Sequence, residues 1–348
     1  MEQKPRNWRA LAAAFGWMLV AVAVVATGAW GALALVLTGR DGDPVRGGIA
    51  AVFALAALLA LIAMARPRGR WRAMAAYAAI FVALLAWYGG LQPSNDRDWQ
   101  TDVAVLPYAT VEGDEVAVYN IRNFAYRTET DYTPSYYDKR FRLSELKGVD
   151  LIAVYWMGPA IAHTFLSFDF GSGGHLAISI ETRKEKSEGY SALKGFFRQY
   201  ELIYVVADER DVIRVRTNYR HDPPEDVYLY RLGGSLANAR RLFLEYVKEV
   251  NALRQQPAFY NTLTTNCTTN IWMHSIVNPA HLPFSWKILA SGYVPQYLYE
   301  QRRIDTRLPF AELQRRGFVN VRAQAADGAP DFSRRIRDGI PVPRMSER

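Results

Sequence analysis

Three apolar runs within the first 92 residues constrain this chain more than any other feature. The first, about Leu11 to Leu37, and the third, roughly Ala73 to Leu91, are long enough to cross a bilayer; the second, roughly Ile49 to Ala65, is near the lower limit. Charge sets the direction of insertion. Lys4, Arg6 and Arg9 precede the first run, and Arg66, Arg68, Arg70 and Arg72 fill the link between the second and third. The link from Thr38 to Gly48 instead mixes Arg40 and Arg46 with Asp41 and Asp43. Purely basic segments stay in the cytoplasm, so the N-terminus is expected inside and everything after Leu91 outside. The first run is too long for a cleavable signal peptide and is followed by further spans. Trp87 and Tyr88 suit the interfacial belt at the outer end of the third span.

The net charge of +8 comes partly from the juxtamembrane arginines and partly from a basic C-terminus. No segment interleaves basic and aromatic residues as a nucleic-acid site would, so anionic lipid head groups are the more natural partner. With 1–92 as membrane anchor, residues 93–319 suffice for one core and read as an α+β domain. Strands are expected at Glu115–Ile121, Val149–Trp156, His163–Phe170, His175–Glu181, Glu201–Ala207, Val212–Arg216 and Val227–Leu232. A helix is expected from an N-cap at Ser235 to about Arg254, with Phe243, Tyr246, Val247, Val250 and Leu253 at helical spacing. Residues 320–348 carry Pro, Gly and clustered Arg/Asp with little periodicity and are expected to be a basic, disordered tail.

The exported domain holds the only cysteine of the chain, Cys267, so no internal disulfide can form. Thr264 to Asn266 offer helix N-caps and the apolar Ile271, Ile276 and Val277 follow, which puts Cys267 in a first helical turn. There the unpaired backbone amides and the dipole favour a thiolate, and the same amides, helped by Asn266, can donate to an oxyanion. A lone cysteine is as often a small core residue, so a base is needed to tip the balance. His221 lies in a turn, and His274 is two helical turns past Cys267, roughly 10 Å along the axis. His281 lies just after that helix. No short-spaced cluster has metal-ligand geometry, and neither metal nor cofactor is expected.

The base is sought in the hairpin from His163 to Glu181. Leu166, Phe168 and Phe170 share one face of its first strand and Leu176, Ile178 and Ile180 one face of the second. Matching those faces around Gly171–Gly174 makes paired residue numbers sum to about 344 or 346. His163 then lies opposite Glu181, or one diagonal step from it, while His175 falls at the turn end roughly 24 Å away. Glu181 is therefore the register-based partner of His163, with His175 the other candidate for a third catalytic residue.

Four stretches in this order resemble a known family: His163–Phe168, Ile178–Glu185, Phe197–Tyr204 and Phe259–Thr269. Together they resemble the Lnb periplasmic-domain family, linked to bacterial lipoprotein N-acylation and similar to circularly permuted NlpC-type papain-like enzymes. The resemblance covers roughly Asp98 to Phe318 and implies a mainly antiparallel sheet, a thiol nucleophile at Cys267 and a base at His163. It implies a bacterial inner-membrane protein with a periplasmic catalytic domain. The expected reaction is acyl transfer, with a phospholipid or acylated lipoprotein as donor and a lipoprotein N-terminus as acceptor. The charged runs Arg183–Lys186 and Asp208–Asp211 read first as a solvated strand end and turn; a head-group cradle of Arg183 and Arg198 is the functional alternative. Trp286 to Tyr299 reads as core or as an apolar lip for an acyl chain. Competing readings keep the same dyad for a cell-wall amidase or endopeptidase, which needs an open polar groove, or make the chain a non-catalytic membrane scaffold.

Overall fold

A computed structural model describes residues 8–39 and 42–343; Lys4, Arg6, Arg40 and Asp41, which carry part of the charge bias, lie outside them, as do 344–348. The chain forms two compact units, one of 1–93 with 187–199 and one of 94–186 with 200–348.

The first unit holds the helices α1 (Trp8–Leu37), α2 (Pro44–Met64) and α3 (Arg70–Gly89), all long and apolar enough to cross a membrane. Asp43 starts α2 by accepting the Val45 amide at 2.9 Å, and Pro44 stands at the first helical position. Small residues bring the helices together. A Cβ on Gly31 would lie 2.4 Å from Phe53 and 2.6 Å from Leu84, so only glycine permits this approach. The Thr27 hydroxyl meets the Tyr77 hydroxyl at 2.8 Å within the same bundle.

The second unit is an α+β domain around an eight-stranded sheet. Its strands are β1 (Tyr108–Glu112), β2 (Glu115–Arg122), β5 (Tyr136–Arg142), β6 (Gly148–Tyr155), β7 (His163–Asp169), β8 (His175–Arg183), β9 (Glu201–Ala207) and β10 (Asp226–Arg231). β3 (Ala125–Tyr126) and β4 (Tyr132–Thr133) form a separate ribbon. The order is β1-β2-β9-β8-β7-β6-β10 with β5 also on β2, and every pairing is antiparallel except the Arg122–Ala207 bridge between β2 and β9. β7 pairs with β8 as Leu166–Ile178 through Asp169–His175. Those numbers sum to 344, the first of the two expected registers.

Strand alternation divides the core into two layers. On one face Val149, Leu151, Leu166, Phe168, Ile178 and Tyr204 pack against Phe243, Tyr246 and Val250 of α5 (Leu236–Gln255) and against α6 (Cys267–Ser275). Ser235 caps α5 through the Asn238 amide, as its sequence predicts. On the other face Ile152, Phe165, Ala177, Ile203 and Leu229 pack against Val212, Ala323, Phe332 and Ile336.

That second layer corrects three expectations. Residues 212–216 are helical, not a strand: Asp208 caps α4 (Glu209–Val212) by accepting the Arg210 amide at 2.9 Å, and a π-helical turn covers Val215–Tyr219. Asp208–Asp211 is not a solvated turn, because Glu209 and Asp211 are fully buried. Nor do residues 320–343 trail as a disordered tail. After α7 (Trp286–Leu289), α8 (Val294–Glu300) and α9 (Phe310–Gly317), they form α10 (Asn320–Ala325) and α11 (Phe332–Arg335) against the sheet. Arg337 anchors them, donating to Asp150 at 2.7 Å and to Glu209 at 2.6 Å, both of which are buried.

Arg337→Ala would leave buried Glu209 without its cationic partner, at a cost of about 3–5 kcal/mol, while Asp150 keeps Arg231. Thermal unfolding of the full-length protein in detergent is expected to drop accordingly, and an unchanged midpoint would show that the segment is loosely held.

Candidate active site

The Cys267 helix is set by its own polar residues. Asn261 Oδ1 accepts the amides of Leu263 at 2.9 Å and Thr264 at 3.0 Å, folding the approach into a turn. Asn266 then caps α6: its Oδ1 accepts the Thr269 amide at 2.8 Å and the Thr269 hydroxyl at 2.7 Å, while its Nδ2 donates to the Thr262 carbonyl at 2.7 Å. Cys267 is thus the first residue of α6, as expected, and its thiol is mostly buried on the α5 side of the sheet. Asn266, expected as an oxyanion donor, serves here as the helix cap and gives one Nδ2 proton to the Thr262 carbonyl. Asn270, one turn on, has a buried Nδ2 with no hydrogen-bond partner among the described residues. The sequence reading passed over it because an asparagine inside a helix carries no signal of its own.

The sheet separates thiol and imidazole. Thr164 faces α6, its hydroxyl 2.8 Å from that of Thr268. The alternation of β7 therefore turns His163 to the opposite face, where its ring lies 5.7 Å from that of Phe165. The Cys267–His163 dyad expected from chain order is not formed. His163 and Glu181 do come together, 3.7 Å apart, and Ser179 stands between them. Its hydroxyl donates to Glu181 Oε1 at 2.7 Å and lies 2.8 Å from His163 Nε2. With that hydroxyl proton committed to the carboxylate, the network assigns the imidazole proton to Nε2 and leaves the lone pair on Nδ1.

Arg216 completes the cluster, donating to Glu181 at 3.1 Å and pairing with Glu225. Burial, and then the positive charge of Arg216, hold His163 neutral with a pKa lowered to about 3. Burial alone would raise that of Glu181, but the positive charge of Arg216 outweighs it and keeps the carboxylate ionised. Ser179 and Arg216 were not picked out from sequence; only the register, followed two residues inward from Glu181 on the same face, could have found Ser179.

The remaining candidates have structural duties. Arg183 is buried, donating to the carbonyls of Val103 at 2.9 Å and Ala104 at 2.8 Å and to Asn95 Oδ1 at 2.9 Å, with its guanidinium 4.3 Å from the Trp99 ring centroid. Arg198 belongs to the first unit, where it donates to the Tyr88 carbonyl at 2.7 Å. His175 sits at the turn end, 3.6 Å from Asp169, and His274 bonds the Tyr204 hydroxyl at 2.5 Å, its pKa lowered to about 4 by burial. Among the described residues no group of side chains could hold a metal ion.

An apolar cavity of about 180 Å³ opens on the Cys267 side of the sheet. Leu151 and Leu166 floor it, Ala239 and Leu242 of α5 and Ile271 of α6 wall it, and Ile288, Val294 and Leu298 close it. Thr268, the neighbour of Cys267, is part of its wall, and Asn278, His281 and Arg303 add polar groups. Residues 286–299, read from sequence as core or lip, thus supply buried side chains to this cavity.

Residues 132–292, a little under half of the chain, match the family described as Lnb N-terminal periplasmic domain. No curated protein and no solved structure matches the chain.

His163 and His274 are neutral in the fold but protonate near pH 6.5 once unfolded, so stability falls as pH drops from 6.5 toward these lowered values. For His163 alone the loss between pH 7 and pH 5 is about 2 kcal/mol. His163→Gln is expected to flatten the fall in thermal midpoint over that interval; parallel curves for the two proteins would contradict the buried neutral imidazole.

Proposed function

We propose that this chain is a membrane-anchored thiol acyltransferase related to the lipoprotein N-acyltransferases, with Cys267 as the acyl carrier. The observation that carries the reading is the apolar cavity whose wall includes Thr268, beside a thiol at the first position of a helix. An acyl chain is the natural occupant of such a slot, whereas a cell-wall peptide needs a polar groove. The family match and the three apolar helices support the same reading, since donor and acceptor would both lie in the bilayer plane. On this reading the helices anchor the chain in a bacterial inner membrane, N-terminus inside, with the second unit in the periplasm. The order of His163 before Cys267 is that of the permuted NlpC-type papain-like enzymes and supports reading the domain as a relative of them.

In the reaction, Cys267 Sγ attacks the ester carbonyl of a phospholipid or another acylated donor. The carbonyl oxygen becomes an oxyanion facing the free amides at the start of α6 and the Asn270 side chain. Collapse expels the lyso-lipid alkoxide, which takes up a proton, and leaves a thioester. The α-amine of a lipoprotein N-terminus then attacks, the C–S bond breaks as the amide forms, and the proton lost by the amine returns the departing thiolate to the thiol. His163 and Glu181 lie across the sheet from the sulfur, so the thiol proton is not routed through them. Their part is to hold the start of β7 to β8, where ladder pairing ends at Leu166–Ile178, and so to fix Thr164 against Thr268.

The test is N-acylation of a lipoprotein acceptor by the full-length protein in phospholipid vesicles. Cys267→Ser is expected to abolish it, which a scaffold role would not require. Ala239→Phe fills the cavity and is expected to lower transfer of long chains by about tenfold or more relative to short ones. His163→Gln, which keeps a partner for Ser179, is expected to retain measurable transfer; a loss as complete as that of Cys267→Ser would return His163 to the role of direct base.

A further inference from the structure

The connection between β8 and β9 leaves the sheet domain and packs with the spanning helices. Residues 187–199 belong to the same compact unit as α1, α2 and α3. They are fastened to the C-terminal ends of two of them. Thr38, just past α1, donates its hydroxyl proton to the Phe197 carbonyl at 2.8 Å, and the Gly39 amide donates to Gln199 Oε1 at 2.6 Å. At the end of α3, Arg198 donates to the Tyr88 carbonyl at 2.7 Å and lays its guanidinium over the Tyr88 ring at 4.7 Å. Trp30 of α1 packs against both Tyr88, at 5.1 Å, and Phe197, at 6.5 Å between ring centroids.

Helix length sets the depth of this attachment. α3 has 20 residues, about 30 Å at 1.5 Å per residue, which matches the hydrocarbon core. With Arg70 at one boundary, Tyr88 and Gly89 mark the other, and Arg198 is bonded at that level. The connection then presents Tyr190, Leu193 and Phe196 to its surroundings, each between two-fifths and just over half exposed. Lys194 and Arg198 stand beside them. A soluble loop of 13 residues has no reason to expose three large apolar side chains together. At a bilayer boundary the same composition, aromatic and apolar groups flanked by cations, is the one that settles among head groups.

We propose that residues 187–199 are a membrane-interface loop whose Tyr190, Leu193 and Phe196 enter the head-group region of the phospholipid leaflet reached by the ends of α1 and α3. The occupant of this surface is the lipid bilayer itself. Continuity with the spanning helices, and not a groove for a protein partner, selects it. The proposal does not depend on the chemistry at Cys267.

Nitroxide labels test it in the full-length protein, in a Cys267→Ser background so that one thiol is present. Leu193→Cys and Phe196→Cys are labelled separately and reconstituted in phosphatidylethanolamine–phosphatidylglycerol vesicles. Leu58→Cys on the exposed side of α2 and Glu112→Cys at an exposed turn serve as lipid and water references. Labels at 193 and 196 are expected to collide with oxygen more, and with a nickel chelate several-fold less, than the label at 112. Nickel collision equal to that at 112 would overturn the proposal, because the loop would then face water. Low collision with both reagents would overturn it too, since the loop would be covered by protein. The label at 196 covers the case in which substitution at 193 disturbs the loop.

Discussion

The period of two along the central strands governs what this domain can do. Each of β6, β7, β8 and β9 is buried on both sides, so every step of one residue moves a side chain from one closed layer to another. On β7 this sends Thr164, Leu166 and Phe168 toward α5 and α6, and His163, Phe165 and Ser167 toward the layer of α4, α10 and α11. The first layer is almost wholly apolar and contains the thiol and the cavity. The second carries the ionisable groups. Chemistry that needs a sulfur in an oily slot and a fold that needs buried charge are thereby kept apart.

Burying that charge is costly, and the second layer offsets the cost by pairing. Asp150 is shared by Arg231 and Arg337, Glu209 accepts from Ser167 and is paired with Arg337, and Asp211 takes two contacts from Arg122 and the Phe124 amide. Residues near both ends of the domain meet here: Arg122 from β2 and Arg337 from the C-terminal segment. Such a network adds little net stability over an apolar layer but tolerates few alternative packings, which is how a nominally featureless terminal segment comes to have a fixed place.

Features decided locally were legible in the sequence. The apolar helices follow from length and hydropathy, the Ser235 cap and the Asn266–Cys267 helix start from their own residues, and the β7–β8 register from matching two apolar faces. What was missed depends on context that a stretch's own pattern does not carry. The Val212–Arg216 stretch alternates like a strand but follows a capped turn, and the docking of 320–343 rests on Asp150 and Glu209. The placement of His163 relative to the thiol is of the same kind. Register placed His163 against Glu181, but only the seating of α6 against Thr164 shows that the thiol lies on the other face. Arg183 looked like a free cation beside a strand end and instead ties that end to residues 95–104.

The reading of the site turns on whether Cys267 carries an acyl group during the reaction. Intact-protein mass spectrometry of the full-length protein after incubation with phospholipid vesicles measures this directly, with and without hydroxylamine and with Cys267→Ser alongside. A fatty-acyl mass increment on the wild type alone, removed by hydroxylamine, is the predicted result. An increment that persists in Cys267→Ser, or its absence from the wild type while acceptor is still acylated, would contradict a thioester on Cys267.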